Sequence, residues 1–208
     1  MNKNNKIFLI FDLDGVILDS ENNMRIAWNK VCKEFNLKKN FSLYKKYVGL
    51  PFKDILKKIK IKKNHKKIQE YYSLQSRNYN LKLKLFPGAK KTLDLLNKKK
   101  INYSIVTSKD LIRTKAIIKI FQLKPISIHC PKSNLRGKPY PDQLLECIRK
   151  NKVKKFRKVY YVGDTFYDYL AASSCKINFI FSSYGFGNSK RVYKNKLKKI
   201  TEILNFLN

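Results

Sequence analysis

The stretch FDLDGVILDS, Phe11 to Ser20, decides how the rest of the chain is read. It continues the apolar run KIFLI (6–10), and the two together predict one buried strand that stops at Asp12. Asp14, Gly15 and Asp19 follow closely. The chain has only 14 acidic residues in 208, so three at one strand end ask for a chemical reason.

Working outward, INYSIVTS (101–108) reads as a second buried strand ending at Thr107 and Ser108, and KVYYVGD (158–164) as a third ending at Asp164. PISIHC (125–130) and INFIFSS (177–183) add two more. Segments of helical period lie between them: AKKTLDLLNKKK, LIRTKAIIKIFQL, PDQLLECIRK and YDYLAASSC. At the C-terminus, Leu197, Ile200, Ile203, Leu204 and Leu207 recur at helical spacing and predict an amphipathic helix. This alternation predicts the α/β class: a Rossmann-like, doubly wound parallel sheet with helices on both faces. The continuous apolar strands agree, because parallel strands are buried on both sides.

Residues 17–84 interrupt the alternation. They carry no strong strand signal and read as several helices: ENNMRIAWNKVCKEF, SLYKKYV, PFKDILKKI and a lysine-rich stretch running to YYSLQSRNY. The expected organisation is a core of residues 1–16 and 85–208 with an inserted α-helical cap of residues 17–84. Hinges are expected near 15–20 and 83–88, where the chain crosses between the two.

In open parallel sheets ligands bind beyond the carboxyl ends of the strands. Asp12, Thr107 and Asp164 all fall there. Carboxylates at neighbouring strand ends repel one another, and a divalent cation removes the repulsion. Magnesium takes oxygen ligands, often one or two carboxylates with water and substrate phosphate. Asp12 and Asp164 would supply two of those oxygens. A phosphate accounts for the remaining polar groups: the hydroxyl of Thr107, the point charge of Lys138, and backbone N–H groups near Gly15 as an anion cradle.

Composition excludes several classes. At 43% hydrophobic the chain can bury a core, and no apolar run approaches the ~20 residues of a membrane span. The start, MNKNNKIFLIF, resembles a signal peptide, but Asp12 and Asp14 cut it short and no small-residue cleavage site follows, so a cytoplasmic protein is expected. The four cysteines form no CxxC pair and are expected as reduced thiols. The formal net charge of +33 could suit a nucleic-acid partner. The excess is mostly Lys spread over every segment, however, where phosphate and base readout favours Arg. Composition alone explains the charge, and no specific nucleic-acid partner is expected.

Four motifs in order, DLDGV (12–16), VTS (106–108), GKPYPD (137–142) and GDTFYD (163–168), give the chain a clear resemblance to the haloacid dehalogenase superfamily. The resemblance is to the branch that includes phosphoglycolate phosphatase and β-phosphoglucomutase, and it covers essentially the whole chain. It implies Asp12 as a nucleophile that forms an aspartyl-phosphate. It implies Asp14 as general acid and base, with its backbone carbonyl facing the metal. Thr107, Ser108, Lys138 and Gly15 are implied as phosphate binders. Asp164 is implied as a metal ligand, and Asp168 as a ligand through water or an orienting partner. The implied cofactor is Mg2+. Dehalogenases of the superfamily lack an acid at the position of Asp14, which argues for phosphoryl transfer. YVGLPF (47–52) resembles the family's substrate-specificity loop, which makes Gly49, Lys53 and, from the first cap helix, Arg25 candidate substrate contacts.

Bland readings stand beside these. Asp168 could instead stabilise a helix start. Asp142 could hold Lys138 or serve a helix N-terminus. Asp19 and Ser20 look like a cap at the start of the insertion. His65 and His129 have no partner pattern. The favoured function is a magnesium-dependent phosphatase acting on a small phosphorylated metabolite, as a monomer or homodimer. A sugar-phosphate mutase is the alternative, and a basic nucleic-acid binder on a vestigial enzyme fold is the third.

Overall fold

The structure, a computed structural model, describes residues 7–80, 83–153, 156, 158–187 and 191–207. The first six residues, part of the signal-like start, lie outside the described residues. The first strand, β1 (Ile7–Phe11), is buried along its whole length. Its alternate residues serve two cores, as the period of a strand requires. Ile7, Leu9 and Phe11 join a cluster with Leu93, Leu96 and Ile117. Phe8 and Ile10 join another with Leu144, Cys147, Ala171 and Ala172 on the opposite face. A strand buried on both sides needs apolar residues at every position, and IFLIF supplies them.

An insertion follows. A two-residue strand, β2 (Leu18–Asp19), leads into helices α1 (Glu21–Glu34), α2 (Phe41–Lys45), α3 (Phe52–Lys58) and α4 (His65–Asn78). The chain returns through β3 (Lys84–Leu85), antiparallel to β2, with Leu18 opposite Leu85. The expected hinges are therefore stitched into a ribbon, and Phe86 N–H also donates to the Ile17 carbonyl at 3.0 Å. Sequence reading missed this ribbon because two-residue strands carry no periodicity. The four helices share a core of their own, in which Trp28 stacks on Tyr44 (centroids 4.6 Å apart) and Phe52 packs on Tyr72 (4.6 Å). Asn23 and Ser76 exchange hydrogen bonds of 2.9 and 2.7 Å and lock α1 to α4.

The chain then alternates: α5 (Ala89–Lys98), β4 (Tyr103–Val106), α6 (Leu111–Ile120), β5 (Ser127–His129), α7 (Asp142–Lys150), β6 (Lys158–Gly163), α8 (Phe166–Ser174), β7 (Asn178–Ser182) and β8 (Lys196–Leu197). The sheet order is β5-β4-β1-β6-β7-β8, and every pairing is parallel. This is the doubly wound Rossmann-like α/β architecture. β1 lies between β4 and β6, so the chain winds outward from it in both directions. The crevice of such a sheet opens at this reversal.

The C-terminus departs from expectation. Residues Ile200–Phe206 form a 3-10 helix after β8. Ile200 and Ile203 are fully buried against α5 and β1 residues. An i, i+3 pair eclipses on a 3-10 helix, so this pair suits either helix type. No helix among the described residues is long and apolar enough to cross a membrane. The four cysteines are free.

Candidate active site

Three strand ends assemble the site. Asp12 follows β1, and its N–H donates to the Val162 carbonyl of β6 at 2.9 Å. Thr107 follows β4, and its N–H donates to the His129 carbonyl of β5 at 3.0 Å. Asp164 follows β6. Register thus brings the two aspartates to neighbouring strand ends, with Phe11, one residue before Asp12, opposite Val162, two residues before Asp164. The turn after Asp12 is tight. Gly15 has φ +80, and a Cβ there would lie 2.1 Å from Asp164 Oδ2. Only glycine lets this backbone approach the second carboxylate.

Lys138 comes from the segment before α7 and is buried. Its Nζ lies 2.9 Å from Asp12 Oδ1 and 2.7 Å from Asp168 Oδ1. The contact with Asp12 is electrostatic, because neither Lys138 Nζ nor Asp12 Oδ1 is aligned for a hydrogen bond. Asp168 has two tasks. It completes a capping box with Thr165 at the start of α8, and it also receives the Tyr161 hydroxyl at 2.7 Å. The helix-start reading of Asp168 therefore holds, on a side chain that also pairs with Lys138.

Carboxylate oxygens of Asp12, Asp164 and Asp168 lie within 4.8 Å of one another, and all three residues are buried. Burial pushes Asp12 up to about 7, and the charges of Asp168 and Asp14 add to this while Lys138 opposes it. Asp164 is pushed well up by burial, then by Asp168 and Asp12, against the N–H groups of Phe186 and Gly187 at 2.8 and 3.0 Å. Burial works against the charge on Lys138, but Asp12 and Asp168 outweigh it and raise its pKa. Asp164 Oδ1 has no hydrogen-bond partner. Three buried carboxylates, of which Lys138 pairs with only two, with an orphaned oxygen on the third, fit a divalent cation. The donors are all oxygen, which suits a hard ion.

The chain matches the haloacid dehalogenase-like hydrolase family over residues 9–182. It belongs to that family. No curated protein matches it significantly by sequence. Solved structures of similar shape include a hydrolase from Pseudomonas syringae, 22% identical, with TM-score 0.85 and 97% of each chain covered. Another is a candidate phosphoglycolate phosphatase from Lactobacillus plantarum, 18% identical, with TM-score 0.85, covering 95% of this chain and 97% of that one. A third is CbbY from Rhodobacter sphaeroides in complex with phosphate, 16% identical, with TM-score 0.80, covering 94% and 95%. At these identities the likeness is one of fold.

In this haloacid dehalogenase-like hydrolase, Asp14 stands apart from the acidic cluster. Its carboxylate meets Lys109 Nζ at 3.1 Å and accepts a short hydrogen bond from Ser20 Oγ. The Asp14 carboxylate is not one of the clustered three. One expectation is corrected: Ser20, although it precedes α1, gives α1 no side-chain cap. Asp19 is exposed in β2. Ser108 borders the cavity, and its hydroxyl donates to the Gly49 carbonyl at 2.7 Å, which ties core to insertion. Asp142 pairs with Arg136 at 2.9 Å and not with Lys138.

A cavity of about 50 Å³ lies over Asp12, Asp14, Thr107 and Asp164. The helical insertion roofs it with Met24, Tyr44, Phe52, Ile55 and Tyr72. Gly49 also lines it. Its φ is +104, and a Cβ there would lie 2.8 Å from Thr165 Oγ1. Arg25 and Lys53 do not line this cavity. The inward face of α1 is taken by Met24, Ala27, Trp28 and Val31, which turns Arg25 outward to Asn22 at 2.6 Å. On α3 the buried positions are Phe52, Ile55 and Leu56, which leaves Lys53 exposed. Two cationic residues that sequence reading passed over, Lys109 and Arg113, line the cavity instead. Lys109 was one lysine among many. Arg113 had a signal, since it shares with Ile117 the buried stripe of α6.

Proposed function

We propose that this chain is a magnesium-dependent phosphatase that hydrolyses a small phosphomonoester through an aspartyl-phosphate. The observation that carries the reading is Asp12, set at the end of the central strand between Lys138 and Asp164. The cytoplasm is its compartment in this reading, and residues 17–84 act as a lid that excludes water.

Asp12 attacks phosphorus in line with the ester bond, and that bond breaks. Asp14 gives its proton to the leaving oxygen, then takes one from the water that hydrolyses the aspartyl-phosphate to orthophosphate. Lys138 offsets negative charge beside Asp12 throughout. The Thr107 hydroxyl and the N–H groups near Gly15 hold the phosphoryl oxygens. Mg2+ held by Asp12 and Asp164, with Asp168 behind them, would neutralise charge on the phosphoryl group and favour the ionised form of Asp12. In-line phosphoryl transfer needs positioning and charge neutralisation above all. Neighbours bound to phosphate, or described as phosphoglycolate phosphatases, share this fold and support the reading.

The test is phosphate release from a panel of small phosphoesters with Mg2+, against EDTA and Asp12→Asn controls. Release that both controls abolish is the expected result. No release from any ester sinks the reading.

A further inference from the structure

The buried stripe of α6 begins with a charge. Arg113, Thr114 and Ile117 are its buried residues. A guanidinium at a core-facing helix position is costly to bury, so it requires compensating contacts. Asp110, three residues earlier, binds Arg113 Nε at 2.6 Å and receives its N–H at 2.9 Å. The guanidinium lies 5.2 Å from the centroid of the Tyr72 ring, which belongs to α4 of the insertion. Lys109, also buried, completes the group. Arg113 is 7% exposed and Lys109 6%, and both border the cavity.

The phosphoryl group already has its own partners in Asp12, Thr107 and Lys138. Lys109 is already paired with Asp14, and Arg113 meets Asp110 through Nε, so the guanidinium fork of Arg113 is the cationic group this rim adds for a second anion. Around them the roof is aromatic and apolar, which strengthens any charge interaction made there. We infer that Arg113, assisted by Lys109, is the specificity-determining residue that binds a second anionic group on the substrate, a carboxylate or phosphate close to the ester oxygen. The inference rests on the phosphatase reading and deepens it. It moves selectivity from the cap, where Arg25 and Lys53 were expected to provide it, to the first turn of a core helix.

The alternative is that Arg113 only latches α6 to α4 through Tyr72. Three esters separate the two: 2-phosphoglycolate, ethyl phosphate, which lacks a second anionic group, and ethylene glycol bisphosphate. Arg113→Gln should lower kcat/KM for one or both charged esters by about 10- to 100-fold, mainly through KM, as loss of a charge-assisted hydrogen bond does. Ethyl phosphate should change less than about threefold, because it makes no such bond. Whichever charged ester falls further identifies the anion. Arg113→Lys should recover part of the loss, and the melting temperatures of both variants check that they fold. An equal loss on all three esters would overturn the inference in favour of the latch, and so would no loss on any.

Binding separates this inference from the parent reading. Calorimetry of 2-phosphoglycolate and ethylene glycol bisphosphate with Asp12→Asn, with and without Arg113→Gln, needs no turnover. A weakening of about 10-fold or more with Arg113→Gln supports the inference even if no ester is hydrolysed. Unchanged binding of both ligands overturns it even if the phosphatase reading stands.

Discussion

The two walls of the cavity are built by different rules. The floor is backbone geometry: Asp12, Thr107 and Asp164 stand at consecutive positions of one crevice because β4, β1 and β6 are adjacent and in register. The roof is packing: Met24, Tyr44, Phe52, Ile55 and Tyr72 are where they are because four helices share a core. Charge is concentrated in the floor and aromatic surface in the roof. A floor set by register leaves little room for variation, whereas a roof set by side-chain volume can be repacked. Chemistry therefore belongs to the first and shape selection to the second, with Arg113 as the core's own contribution to selection.

The sharpest way to break this contrast is to change one atom type in the floor. Asp12→Asn should lower phosphate release by about a thousandfold or more, since losing a nucleophile removes the covalent route. Its melting temperature should not fall, because burial, with Asp168 and Asp14, already disfavours the Asp12 charge by more than Lys138 favours it. A comparable loss from Tyr44→Phe in the roof would show that the division of labour is wrong. Progress curves and thermal melts on the same samples supply both readouts.

The roof should fail in the opposite way. Trp28 is fully buried and stacked on Tyr44. Trp28→Ala should cost about 3–5 kcal/mol of stability through lost burial and a residual cavity. Urea unfolding measures it. The floor residues do not touch this stack, so metal binding to the fraction that stays folded should survive.

The floor also sets the response to pH and metal. The native state holds Asp12 up to about 7, and Asp164 is raised too, whereas in the unfolded chain both titrate as ordinary carboxylates. Between about 4 and 7 these two carboxylates therefore hold more protons in the native state than in the unfolded one, and their contribution to stability falls as pH rises, outweighing the opposite pull of the single buried His129. Metal-free protein should lose melting temperature across this window. Mg2+, which binds the ionised carboxylates, should restore it more at the upper end than at the lower. A metal-free melting temperature that rises over the same range, or a magnesium effect independent of pH, would remove the acidic cluster as the metal site.

How much of this was legible in the sequence follows the same division. A strand such as IFLIF announces itself by continuous apolar residues, and an aspartate directly after it can only stand at the sheet's edge. That is why the doubly wound core could be read along with the neighbourhood of Asp12, Thr107 and Asp164. The β2–β3 ribbon and the 3-10 turn at Ile200–Phe206 were not readable, since two residues define no period and an i, i+3 pair fits either helix type. Side-chain partners were the least readable. Asp142 and Lys138 are neighbours in one motif, yet Asp142 turns to Arg136 and Lys138 to Asp12 and Asp168. Ser108 spends its hydroxyl on Gly49 far along the chain. Contacts of that kind depend on how the insertion folds back over the sheet, which no local pattern encodes.

The smallest expected effect tests where the roof ends. Arg25 and Lys53 sit on the helices that supply Met24 and Phe52 to the cavity, yet both face away from it. Arg25 has only a local contact, with Asn22 on its own helix. Arg25→Ala and Lys53→Ala should each change stability by less than about 0.5 kcal/mol, as substitutions at exposed sites usually do. Their kcat/KM for 2-phosphoglycolate should stay within about twofold of the parent, because a charge in water beyond the cavity is screened by the solvent between. A large loss at Lys53 in KM alone would mean that the loop around Gly49 moves when substrate binds and carries Lys53 inward. Selectivity would then extend beyond α6 to the loop leading into α3, and the boundary between the two walls would have to be drawn through Gly49.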